Sequence, residues 1–148
     1  MKLTRKAEYG IRAVLYISSH SEKEKVLTRE IAENMGIPKQ FLAQVMLVLS
    51  NAGIVRAIRG ANGGFKLAKK ASEIDLKEVI ESIEGPIALN ECLLNQGQCD
   101  NKDDCPEHDV WEEAQESMLS VLDKADFAWL SKSMLSKKAA LAKKVALK

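Results

Sequence analysis

The chain has 148 residues, 46% of them hydrophobic, which allows one cored domain or one domain with an appended element and leaves no low-complexity stretch. No apolar run approaches the ~20 residues that span a bilayer, and Glu8 and Arg12 break up the segment after the charged start, so neither a membrane span nor a signal peptide is expected and the chain reads as cytoplasmic. The net charge of +1 hides a segregation: residues 1–70 hold 13 Lys and Arg against 5 Asp and Glu, residues 71–136 hold 4 against 16, and residues 137–148 hold 5 against none.

The spacing predicts a first helix from Thr4, its N-cap, to about Ser19, with Ala7, Ile11, Val14, Leu15 and Ser18 on one face. Residues 20–25 form a polar turn, in which His20 is expected at the solvated surface. Thr28 then caps a short helix ending at Met35, with Ile31, Ala32 and Met35 inward, and Gly36 closes it. Pro38 opens the next helix, where its missing N–H costs nothing. That helix runs to about Ala52, with Phe41, Leu42, Val45, Leu47, Val48 and Leu49 mostly inward, and Gly53 ends it. Residues 54–58 alternate as a strand does. Gly60-Ala61-Asn62-Gly63-Gly64 supplies a turn able to adopt positive φ, and Phe65-Lys66-Leu67 returns as a second strand.

A short amphipathic helix comes next on Leu76, Val79, Ile80 and Ile83, stopped by Gly85-Pro86. Residues 86–107 read as a loop carrying all three cysteines. From about Pro106 one long helix is expected, with Trp111, Ala114, Met118, Val121 or Leu122, Ala125 and Trp129 recurring every three or four residues as a dimer core. The expected fold is therefore mainly α with a small β-hairpin. A winged helix-turn-helix occupies residues 1–70, a linker helix and cysteine loop 71–108, a dimerisation helix 109–136 and a disordered basic tail 137–148.

A helix-turn-helix presents its second helix to the major groove of DNA. Here the exposed start of that helix is Pro38-Lys39-Gln40-Phe41. Lys39, Gln40 and Gln44 can offer donors and acceptors to base edges. Arg59, beside Gly60 and Asn62 in the wing, is short enough to enter a minor groove. Lys2, Arg5, Lys6, Arg56, Lys66 and Lys69 are candidate phosphate contacts, with Thr28 at the start of the first helix of the pair. A helical bundle with a solvated basic face is the competing interpretation. The excess of cations in residues 1–70 and the order of elements favour double-stranded DNA.

An odd number of cysteines argues against a closed disulfide framework. They fall as Cys92-x6-Cys99-x5-Cys105-x2-His108, and thiolates favour zinc, Cu(I) and iron–sulfur clusters. His108 can fill a fourth position, with Glu8 as a distant alternative. The spacing alone leaves open a cluster, a zinc site of three Cys and one His, and free thiols. An enzyme has little support: no Ser/His/Asp set, phosphate loop or HExxH is present, and no catalytic residue is assigned.

Three segments then carry a family resemblance: Met1-Lys2-Leu3-Thr4-Arg5-Lys6-Ala7-Glu8-Tyr9, Ile37-Pro38-Lys39-Gln40-Phe41-Leu42 and Arg59-Gly60-Ala61-Asn62-Gly63-Gly64-Phe65. With the three cysteines they resemble the Rrf-two regulators, which include the IscR- and NsrR-type iron–sulfur sensors. The resemblance implies a homodimer crossed through the long helix and bound to a partly symmetric operator. It implies an iron–sulfur cluster on Cys92, Cys99 and Cys105, [2Fe–2S] favoured over [4Fe–4S], with His108 or Glu8 as fourth ligand. Such regulators report cluster supply, nitric oxide or redox state. Two features depart from the pattern: six residues rather than five separate Cys92 from Cys99, and position 43, often acidic in the IscR type, is Ala43.

Overall fold

A computed structural model describes residues 2–60, 62–94 and 104–147. The first helix, α1 (Arg5–Ser18), is capped as expected, the Ala7 N–H donating to Thr4 Oγ1 at 3.2 Å. Its buried face is wider than the predicted stripe and includes Gly10, Ala13, Tyr16 and Ile17, because α1 is packed from several sides. Strand β1 (Val26–Leu27) leads into α2 (Thr28–Met35). Thr28 is not the cap. It is the first helical residue, and Glu30 Oε2 accepts the Leu27 N–H at 3.0 Å instead. Gly36 ends α2 at φ 62, a left-handed conformation that glycine adopts without a Cβ penalty. Pro38 precedes rather than opens α3 (Lys39–Asn51).

In α3 the buried residues are Leu42, Val45, Met46 and Leu49. Phe41 and Leu47 were expected inward, but Leu47 is 63% exposed and Phe41 also faces outward. The inward stripe is thus phased around Met46. Strands β2 (Val55–Ile58) and β3 (Gly64–Leu67) form the expected hairpin, but the sheet has three strands in the order β1-β3-β2. Val26 pairs with Phe65 and Leu27 with Gly64. A Cβ at Gly64 would run into the Val26 carbonyl, so glycine is required there by close approach rather than by φ. In the described part of the turn, positive φ falls on Gly60 alone, at 134°.

Helix α4 (Leu76–Glu84) packs on α1 and α3. Gly10 allows this closeness, because a Cβ there would meet Ile83 Cδ1. The expected single helix over 109–136 is two: α5 (His108–Asp123) and α6 (Phe127–Ala146). Asp126 caps α6, accepting the Trp129 N–H at 2.8 Å, and Phe127 is fully buried in the core. The joint is pinned from both sides, Leu76 N–H donating to Ala125 O at 3.0 Å and Phe127 N–H to Ile74 O at 2.9 Å. Residues 137–146, expected to be a disordered tail, continue α6 as helix. His20 is half-buried rather than solvated: its Nδ1 lies 2.9 Å from Tyr16 O and its ring 4.3 Å from that of Tyr16.

Candidate DNA interface and cysteine site

The helix-turn-helix places Pro38, Lys39, Gln40, Phe41, Ala43 and Gln44 at the exposed start of α3. Phe41 is held from below, its ring 6.0 Å from that of Tyr9, which in turn carries the Arg12 guanidinium 5.9 Å above its face. Lys39, Gln40 and Gln44 stand exposed beside it. Lys2 and Arg5 lie exposed at the start of α1, and Arg5 is already paired with Glu8 at 3.0 Å. Lys6 is half-buried. Lys69, a predicted phosphate contact, is instead bound to Glu78 at 2.7 Å.

The wing brings Arg56 directly opposite Lys66 across β2 and β3. Directly opposed residues share a face with Cβ atoms ~4.5–5.5 Å apart, and like charges there are destabilising. Neither cation has an acidic partner among the described residues. An arrangement that costs stability in the free chain is relieved by a polyanion. Arg59 and Gly60 stand exposed at the wing tip, and Asn62 and Gly63 share a shallow recess with Leu27, Thr28 and Arg29. The wing and the start of α2 thus form one edge. Arg29 escaped the sequence reading. Its signal was a cation in the first turn of α2, four residues before the Glu33 that it pairs with at 3.8 Å.

Cys92 lies in a 3₁₀ turn, Glu91–Leu93, that packs on α5, and Cys105 lies just before α5. Both are half-buried free thiols. Cys99 lies outside the described residues. His108 opens α5, its N–H donating to Cys105 O at 3.2 Å. The imidazole is 4% exposed, and its Nδ1 has no hydrogen-bond partner among the described residues. Asp109 Oδ1, at 3.7 Å, is beyond hydrogen-bond reach. A buried polar atom without a partner is costly, and coordination would satisfy it. The donor types and this orphaned nitrogen fit a thiolate-bound metal group. Sequence reasoning missed Asp109 and Glu112, whose carboxylates lie with His108 Nδ1 or Nε2 within 4.8 Å of one another, one helical turn apart. Glu8 stays on α1 with its carboxylate on Arg5.

The family profile described as an iron-dependent transcriptional regulator matches residues 3–133. The chain belongs to the Rrf2 family. The Rrf2 protein of Nitratidesulfovibrio vulgaris is 33% identical over 123 residues, covering 83% of this chain and 82% of that protein. The HTH-type transcriptional regulator IscR of Serratia proteamaculans is 32% identical over 130 residues, 88% of this chain and 79% of that one. Among solved structures, T. potens IscR superposes with a TM-score of 0.70 at 28% identity over 90% of this chain and 88% of that one. CymR, the global cysteine regulator of B. subtilis, shares the fold, with a TM-score of 0.76 at 24% identity over 90% and 98%. This Rrf2 chain is accordingly a DNA-binding transcription regulator of winged-helix fold, and its relatives are regulators rather than enzymes. No helix of the described residues is long and apolar enough to cross a membrane.

Proposed function

We propose that this chain is a homodimeric, operator-binding regulator whose DNA affinity is set by an iron–sulfur cluster held by Cys92, Cys99, Cys105 and His108. The observation that carries the reading is His108: a buried imidazole with an orphaned nitrogen, one turn beyond Cys105 on the helix that packs on Cys92's turn. A mixed thiolate–imidazole set favours [2Fe–2S], in which His can replace Cys on one iron. When bound, such a group supplies sensitivity to oxidants, nitric oxide or cluster supply. Operator contacts fall to Lys39, Gln40, Gln44 and Arg59, while Lys2, Arg5, Arg56 and Lys66 hold phosphates. Thr28, Phe41, Gly60 and Asn62 shape the edge between them.

The chain's own bonds give the loop a route to that edge. Gln115 Oε1 accepts the Leu89 N–H at 3.0 Å, and Glu81 Oε1 accepts the Ile87 N–H at 3.2 Å. Glu84 Oε1, at the C-terminal end of α4 next to the loop, accepts the Thr4 N–H at 2.6 Å, where Lys2 and Arg5 begin. Helix α4 also packs on α3 and α5. Any shift of residues 86–94 is therefore passed to α4 and on to α1 and α3. Half-sites lie about one DNA turn apart, so a small change in the spacing of two recognition helices alters affinity.

The test is iron content and the anaerobic visible and Mössbauer spectra of wild type, Cys92→Ala, Cys99→Ala, Cys105→Ala and His108→Ala, beside operator titrations. Loss of iron in each cysteine variant, with a shifted spectrum in His108→Ala, is expected. Equal iron in all of them, or zinc in its place, defeats the assignment. Unchanged operator affinity on cluster loss removes the sensing role.

A further inference from the structure

Helix α5 opens with three possible ligands, His108, Asp109 and Glu112, and one ligand atom from each lies within 4.8 Å of the other two. His108 and Glu112 are four residues apart and share a face of the helix, with Asp109 beside His108. The two acids alone would mean little, because the helix dipole favours acids near this end.

The imidazole is the second observation. His108 is almost wholly buried, and its Nδ1 meets no donor or acceptor among the described residues. Asp109 Oδ1 stands 3.7 Å from that nitrogen. This is too long for a hydrogen bond. It is close to the ~3.0–3.5 Å that separates two ligands of one ion when each bond is ~2.0–2.2 Å. The Asp109 side chain is exposed, so its rotation can close the remainder. Neither carboxylate has a Lys or Arg partner among the described residues. Both are therefore available to balance the charge of a cation.

The donor set narrows the choice of ion. Imidazole nitrogen with carboxylate oxygens suits borderline divalent ions such as Zn²⁺ and Fe²⁺, whereas Ca²⁺ and Mg²⁺ take oxygen ligands and Cu(I) takes sulfur. Three protein ligands leave a position for water.

We infer that His108, Asp109 and Glu112 bind one divalent cation of the Zn²⁺ and Fe²⁺ class when the cysteines hold no cluster. The inference rests on the reading above in one respect: His108 is assigned to both groups, so the two occupants exclude each other. It adds a metal site that needs no thiolate. Gln115, three residues beyond Glu112 on the same helix, holds the Leu89 N–H. An ion at the head of α5 thus sits on the element that steadies the segment leading to Cys92.

The experiment is calorimetric titration of Zn²⁺ into the full chain carrying Cys92→Ala, Cys99→Ala and Cys105→Ala, so that no thiolate competes. Co²⁺ serves as a spectroscopic probe and far-UV circular dichroism checks helix content. One ion per chain is expected, and Fe²⁺ added anaerobically should displace Co²⁺. Asp109→Asn and Glu112→Gln lie outside the core, and each should weaken Zn²⁺ about ten- to a hundredfold, no less than the loss of a group that only supports a ligand. His108→Ala should weaken it at least as much. Absence of binding, or binding that neither carboxylate variant weakens, overturns the site. So does binding that depends on the carboxylates and ignores His108, which would be an acidic patch only. The cluster-loaded wild type should take up no Zn²⁺ at this affinity. Uptake there with an unchanged cluster spectrum supports the cation site and removes His108 from the cluster set. A wild type that never holds iron defeats the cluster reading, while the titration of the cysteine-free chain still decides the cation site.

Discussion

Replacing Lys66 with Gln removes one charge of the Arg56–Lys66 pair and keeps most of the stem that half-buries the side chain. Two cations about 8 Å apart in water repel by ~0.5 kcal/mol. The free protein should therefore gain a few tenths of a kcal/mol in urea unfolding at low salt. That gain should fade above ~0.1 M salt, where the screening length is ~10 Å. DNA binding should move the other way. Losing one phosphate contact lowers the slope of log affinity against log salt by ~0.9, or ~3-fold in affinity over a fourfold change in salt. The paired assays are denaturant melts and operator titrations across one salt series. A variant less stable than wild type at low salt, with an unchanged slope, would refute the view that the wing stores repulsion for use on a polyanion.

Arg59→Ala should weaken operator binding by ~1–3 kcal/mol and leave binding to unrelated DNA nearly as it was, measured by competition titration. Gly10→Ala drives a Cβ into Ile83 Cδ1 and should cost ~1–3 kcal/mol in urea unfolding; adding Ile83→Val, which deletes that atom, should restore most of it. The Glu30 carboxyl is held below its ordinary value of 4.5, chiefly by the Leu27 N–H and further by the Lys23 charge. A lowered folded value stabilises at pH above 4.5 and loses that contribution as pH falls through the folded value. Glu30→Gln should thus be less stable than wild type at pH 7, with the difference shrinking below pH 4.5; a constant difference would contradict it.

The helix-turn-helix and wing were legible because their signals are local: Thr4 as a cap, Gly36 at a left-handed end, glycines between two short strands. Strand β1 was not, since two residues carry no period and exist as a strand only by pairing with Phe65 and Gly64. The phase of α3 also escaped, because Met46 and Leu47 are equally apolar and only the packing of α1 and α4 selects between them. The break at 124–126 did have a signal, an Asp three residues before Trp129, but the apolar recurrence from Trp111 to Trp129 runs straight through it. Cys92, Cys105 and His108 were read from spacing; the fold sets Cys92's turn on α5 and Cys105 just before it, while the ligand atoms gathered around His108 among the described residues are those of Asp109 and Glu112. Asp109 and Glu112 went unread because acids in the first turn of a helix are ordinary on dipole grounds alone.

The pinned joint gives the cysteine segment an unusual freedom. Residues 74–76 and 125–127 grip each other through backbone bonds, so the stretch between them is a closed loop whose ends the fold has already fixed. Lengthening such a loop is inexpensive, about 0.6 kcal/mol for each doubling. One residue more between Cys92 and Cys99 is therefore almost invisible to folding. The joint itself and the helix beyond it keep their places while the span that carries the thiols varies in length. Ligand spacing in this architecture can change without unfastening the joint that closes the segment.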